Sequence, residues 1–107
     1  MDFDPSTLYN RFRATDFFLT PGPAAQQLIA ADPQRIFLLV QAQLQPCQLR
    51  PYKFPNANQG ILVISGGTPF IADYAKYGAV VGADWYILPP MAGGNYYVLS
   101  ISFVPEN

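Results

Sequence analysis

Histidine is absent from the 107 residues. That removes the side chain best suited to general acid–base work near neutral pH and excludes Ser-His-Asp and Cys-His nucleophile arrangements. Cysteine occurs once, as Cys47, so no internal disulfide can close and the usual Cys/His zinc sets cannot be built. Charge is scarce as well: charged residues make up 12% of the chain, and six Lys or Arg stand against seven Asp or Glu for a net charge of −1. This is too little positive charge for the phosphate neutralisation on which nucleic-acid affinity depends. No apolar run approaches the roughly 18–20 residues of a membrane span. Residues 1–23 start with Asp2 and Asp4 and lack the basic segment and apolar core of a signal peptide. The expectation is a chain made in the cytoplasm that engages neither nucleic acid nor membrane.

What the chain does have is apolar surface, at 50% of residues, and 11 prolines to punctuate it. One domain with a real core fits this length, and the low charge suits a surface packed against neighbours. The six Asp and one Glu are scattered through turns, with no spacing that forces two carboxylates together for acid–base catalysis. "SGGT" (65–68) lacks the lysine and helix start of a phosphate loop, and Cys47 in an alternating strand reads as a small buried hydrophobe. The expectation is a non-enzyme with no cofactor and no metal.

Along the chain, "FDPSTL" (3–8) has Asp4 as N-cap, Pro5 at the first helical position and Phe3 placed to staple Leu8. "TPGP" (20–23) then breaks the pattern and marks residues 1–23 as an N-terminal extended arm ahead of a body over 24–107, an arm that either folds back onto its own domain or reaches a neighbouring subunit. Helix propensity favours "AAQQLIAA" (24–31), but "DPQR" (32–35) is a type I turn signature, so a hairpin pairing 25–30 with 36–42 is expected instead. Arg35 then stands where the apolar strand Ile36–Val40 emerges into water, its guanidinium bonding carbonyls or a carboxylate at the core's edge or, alternatively, forming an intersubunit ion pair. Pro51 pushes the strand after Cys47 toward a sheet edge. "ILVI" (61–64) is a short buried strand, and "AVVGADWYIL" (79–88) is one or two strands with Gly82 as a bulge. The last strand puts Tyr97, Leu99, Ile101 and Phe103 on one face and Tyr96, Val98, Ser100, Ser102 and Val104 on the other.

Short strands at turn-separated intervals of about 8–12 residues predict an all-β fold, an antiparallel β-sandwich of jelly-roll-like form. Its core is expected from Leu28, Phe37, Leu39, Leu49, Leu62, Ile64, Phe70, Val80, Trp85, Ile87, Leu99, Ile101 and Phe103. Aromatics are the one unusual supply. Those near Asp73, Asp84 and Asn95 could stack on sugars, but rings serve cores and protein interfaces more often.

Asp32, Pro33 and Arg35 in a turn, the apolar strand Ile36–Gln41, the segment Gly60–Leu62 and the close over Val98–Glu106 together resemble small β-sandwich virion accessory proteins of tailed bacteriophages. The resemblance covers about residues 25–107. It implies a structural virion protein, capsid decoration or cement, that binds the major capsid protein or another virion protein and bridges capsomers, located on the capsid surface or tail. A tail, neck or fibre-associated adaptor and a glycan-binding module are the alternatives. Contacts in docking on the lattice are expected from Phe3, Leu8, Tyr9, Phe12, Phe17 and Phe18 in the arm and from Trp85 and Tyr86 or the "PPMAGGN" loop in the body, and homo-oligomerisation is expected as well.

Overall fold

Alternating and doubly apolar runs form eight strands among the residues that the computed structural model describes, 11–56 and 59–104. They are β1 (Phe12–Leu19), β2 (Gln26–Ile29), β3 (Arg35–Ala42), β4 (Cys47–Pro51), β5 (Ile61–Val63), β6 (Phe70–Asp73), β7 (Trp85–Leu88) and β8 (Tyr96–Phe103). Two four-stranded antiparallel sheets face each other. Sheet A has the order β1-β8-β3-β6 and sheet B the order β2-β7-β4-β5. The chain is therefore the expected all-β sandwich, and this strand order is that of a jelly roll. Residues 1–10, 57, 58 and 105–107 fall outside the description, so the helical start expected at "FDPSTL" lies there.

The segment read as an arm is in large part a strand. All eight residues of β1 pair with β8 in unbroken register, from Phe12 opposite Phe103 to Leu19 opposite Tyr96. "TPGP" is the link that carries the chain from sheet A to sheet B, so the proline-glycine break at 20–23 marks a change of sheet inside the body. The turn at Asp32 also does a different job from the hairpin expected. It closes as predicted, with the Arg35 N–H donating to the Asp32 carbonyl at 3.0 Å. However, β2 pairs with β7, and β3 lies between β8 and β6. A strand with both edges taken has no room for β2, and the turn becomes a crossover between sheets.

Two further expectations give way to local chemistry. After β6 the chain makes one helical turn, α1 (Tyr74–Tyr77), because the Asp73 carboxylate caps it by accepting from the Lys76 N–H at 2.8 Å. A 3-10 turn over Gly78–Gly82 follows, and strand begins only at Trp85. Gly82 is thus no bulge. Its carbonyl accepts from the Asp32 N–H at 2.9 Å, and a Cβ there would collide with the Asp32 carbonyl oxygen. Pro51 sits on β4, an interior strand, but at a point where β5 has already ended, so Pro51 faces only Trp85 of β7.

The core lies between the sheets: Leu38, Val40, Leu49, Trp85, Ile87, Tyr96 and Val98 are all 1% exposed or less. Leu28, Leu49, Trp85 and Ile87 were expected there, and Phe70 and Val80 pack against it. Phe37, Leu39, Leu99, Ile101 and Phe103 were expected there too, yet they occupy the other side of sheet A and are only half-buried. Leu62 and Ile64 are exposed, both at 62%, leaving Val63 as the buried residue of that strand.

Candidate interaction face

Arg35 explains why sheet A turns the face it does. It opposes Ser102 while Phe37 opposes Ile101, so Arg35 and Ile36 together face one residue of β8 and form a β-bulge. Without that extra residue Arg35 would share the outward side of Phe37. With it, the guanidinium swings between the sheets and ends 3% exposed, away from the water in which the sequence reading had placed it. There it donates to the Ser100 hydroxyl at 3.0 Å, to the carbonyls of Val81 and Ala83 at 3.1 and 2.9 Å, and to that of Ala30 at 2.6 Å. The neighbouring Asp32 carboxylate accepts from the Ser102 hydroxyl at 2.6 Å and from the Gln34 N–H at 2.9 Å. The bond from Ser102 is the largest influence holding the Asp32 carboxyl below its ordinary pKa, against desolvation that pushes it up.

These polar partners fix the orientation of β8. Ser100 and Ser102 must face inward to meet Arg35 and Asp32, and a strand that alternates must then send Tyr97, Leu99, Ile101 and Phe103 outward. The same parity holds across the sheet. Phe12 and Phe18 of β1 lie opposite Phe103 and Tyr97, Phe37 and Leu39 of β3 opposite Ile101 and Leu99, and Ile71 of β6 opposite Leu39. The outer side of sheet A is therefore an apolar surface that no other part of the described chain covers as sheet B covers the inner side. Phe18 is 60% exposed and Ile71 is 42% exposed. Aromatic contacts knit the β1 side: Phe12 meets Phe103 edge-on at 6.0 Å between ring centres, and Phe18 meets Tyr97 at 5.3 Å.

Two carboxylates lie on this face, and both are engaged. Asp16 accepts from the Tyr97 hydroxyl at 3.0 Å, which raises the Tyr97 pKa, and Asp73 caps α1. The outer side of sheet B is mixed: Gln48, Arg50 and Tyr86 alternate with the inward Leu49, Trp85 and Ile87, and Leu62, which is 62% exposed, and Leu88 both lie opposite Gln48.

Of the interface residues read from sequence, the structure brings Phe12 and Phe18 together on the outer face. Phe17 points the other way and packs, half-buried, against the core. Trp85 cannot be a contact residue, because it is 1% exposed, with its ring 5.5 Å from that of Phe70. Tyr86 lies on the outer side of sheet B, stacked near Phe54 at 4.7 Å, and its hydroxyl donates to Asp84 at 2.8 Å. Phe3, Leu8 and Tyr9 lie outside the described residues. Sequence reading missed Leu39, Leu99, Ile101 and Phe103 as surface by assigning them to the core. The signal available was the pair of serines, Ser100 and Ser102, on the opposite parity.

Among the described residues no group of three or more Cys, Asp or Glu stands close enough to hold a metal ion, and no helix is long and apolar enough to cross a membrane. Cys47 is buried, and desolvation pushes its thiol pKa up to about 12.

No family model and no curated protein matches the sequence. Among solved structures, the chain is similar to one described as "Bacillus endospore appendages form a novel family of disulfide-linked pili", at a TM-score of 0.53 and 15% identity over 88% of each chain. That similarity is one of fold.

Proposed function

We propose that this chain is a structural protein of a multi-subunit particle, a capsid decoration or cement protein that docks on a phage head lattice and bridges capsomers. The observation that supports this is the apolar outer face of sheet A, where Phe12, Phe18 and Ile71 are exposed beside Phe37, Leu39, Leu99, Ile101 and Phe103. Burial of such a face against the major capsid protein contributes roughly 25 cal/mol per Å² before association costs, and repeated copies on a lattice add avidity. The sandwich shared with a pilus protein is compatible with a role in assembly. The disulfide linkage named for those pili has no counterpart here, since the single cysteine is buried. A sugar-binding role loses its best stacking group, because Trp85 lies inside the core.

Mass spectrometry of purified virions, with copies counted against the major capsid protein, tests the assignment. A lattice binder is present in fixed proportion to capsid subunits, whereas a small fixed ring would indicate a neck or tail adaptor. Replacing Ile71 and Leu39 by serine leaves the inter-sheet core intact and removes two side chains worth about 1.5–3 kcal/mol each when fully buried. Particle affinity should fall by roughly 100-fold or more. Undiminished occupancy by the double variant would refute docking through this face.

A further inference from the structure

The four sheet edges are not equally protected. A long exposed edge strand is a template for pairing, and proteins ordinarily blunt it by shortening, bulging, proline or lysine. Three edges here are blunted: β5 has three residues, β6 has four and runs into α1, and β2 has four with a register shift between Gln27 and Ile29. The fourth edge, β1, has eight residues, no proline, no lysine and no break in its register with β8. Its residues from Phe12 to Asp16 are all exposed, and every second residue of an edge strand directs its N–H and C=O away from its neighbour.

We propose that β1 pairs antiparallel with β1 of a second copy about a two-fold axis at Thr15, joining two A sheets into one eight-stranded sheet. A two-fold normal to the sheet keeps faces matched, so opposed residues share parity. Centring on Arg13 would oppose two guanidiniums, and centring on Asp16 would oppose two carboxylates. Centring on Ala14 would set Phe12 against Asp16. Centring on Thr15 avoids all three and sets Phe12 of each copy opposite Phe18 of the other. The ring pairs Phe12–Phe103 and Phe18–Tyr97 then continue across the seam as a row of aromatics, a favourable cross-strand arrangement. On the inner side, Arg13 meets the Phe17 ring of the second copy. The two outer apolar faces become one surface. The pairing is separate from any virion address, and its failure would leave the docking face of a single chain as it stands.

Sedimentation equilibrium of the full chain should give twice the 11.8 kDa chain mass. Thr15→Cys places two thiols opposite each other at a spacing a disulfide spans, whereas Ala14→Cys puts its thiols diagonally, beyond the roughly 7 Å Cα separation a disulfide tolerates. Mild oxidation should therefore give a covalent dimer for Thr15→Cys, and none for Ala14→Cys or for the wild type with its buried Cys47. Thr15→Lys brings two ammonium groups together on the axis and should return the mass to a single chain that still unfolds cooperatively, at a midpoint that no longer depends on protein concentration. A single-chain mass for the wild type overturns the proposal. So does cross-linking of Ala14→Cys as readily as Thr15→Cys, or a Thr15→Lys chain that keeps the doubled mass.

Discussion

Replacing Arg35 by methionine keeps an unbranched apolar stem of similar length and deletes the guanidinium. The main-chain carbonyls of Ala83 and Ala30 and the Ser100 hydroxyl then lose this donor, and the Val81 carbonyl keeps only the Trp85 ring N–H at 3.4 Å. Buried ion networks can often be exchanged for apolar residues without loss, but only when both sides are replaced. Here most of the other side is backbone, which no substitution removes. Each orphaned buried acceptor costs about 1–3 kcal/mol, and the Ala30 carbonyl, being only partly buried, regains water. Relief from desolvating the guanidinium, which depresses the Arg35 pKa, offsets part of the sum. The net expectation is a loss of about 3–5 kcal/mol, a large part of the stability of a domain this size. The melting temperature should drop by roughly 12 °C or more.

Trp85 is the only tryptophan, and its ring N–H reaches the same Val81 carbonyl at 3.4 Å. Its fluorescence therefore reports unfolding in urea at the site of the change. Arg35→Lys keeps the charge but lacks the planar fork that serves four acceptors at once, so it should fall between, at a loss of about 2 kcal/mol. If Arg35→Met unfolds within about 0.5 kcal/mol of the wild type, or Arg35→Lys matches the wild type, the guanidinium is not what holds the sheets at this end.

Gly82→Ala forces a methyl against the Asp32 carbonyl and should destabilise by about 1–3 kcal/mol, read from the shift in urea midpoint; an unchanged midpoint would show that the Asp32 turn moves freely. Asp32 has a folded pKa below its ordinary value of 3.8, so it contributes stability that is complete above that value and is lost as pH falls through the lower, folded one. Asp32→Asn should flatten the acid limb of a stability-against-pH profile in that window while Ser102→Ala flattens it in part; a profile unaltered by Asp32→Asn would place the acid sensitivity elsewhere.

Fold class and the alternation of β8 were legible because turn residues and period-2 patterning report local geometry directly. The choice of face was not. In β3 the inward Leu38 and Val40 are as apolar as the outward Phe37 and Leu39, and in β8 the larger side chains lie on the outside. Volume therefore points to the wrong parity. Ser100 and Ser102 point to the right one, but only once Arg35 is known to be inside, and the bulge that puts it there leaves no mark in "RIF". β1 was hidden by "TPGP", which reads equally as a linker or as a change of sheet. The cap at Asp73 was visible in principle, as an aspartate before "YAKY", and was overridden by the apolar residues on either side.

The buried polar cluster and the apolar exterior of sheet A are consequences of one choice of register. Sliding β8 by one residue against β3 would exchange its faces. Tyr97, Leu99, Ile101 and Phe103 would enter the core, Tyr96 and Val98 would leave it, and by hydrophobic burial alone the exchange would be favourable. It would also turn Ser100 and Ser102 to water and strip Arg35 and Asp32 of two of their partners, leaving a charge between the sheets with fewer bonds. Two net apolar side chains are worth about 3–6 kcal/mol when fully buried, the same order as the roughly 3–5 kcal/mol that breaking a buried charge network costs, so the polar cluster offsets the hydrophobic preference for the other parity. On this register the open face of sheet A carries Phe18 at 60% and Ile71 at 42% exposure, and it is this face through which the proposed docking would run.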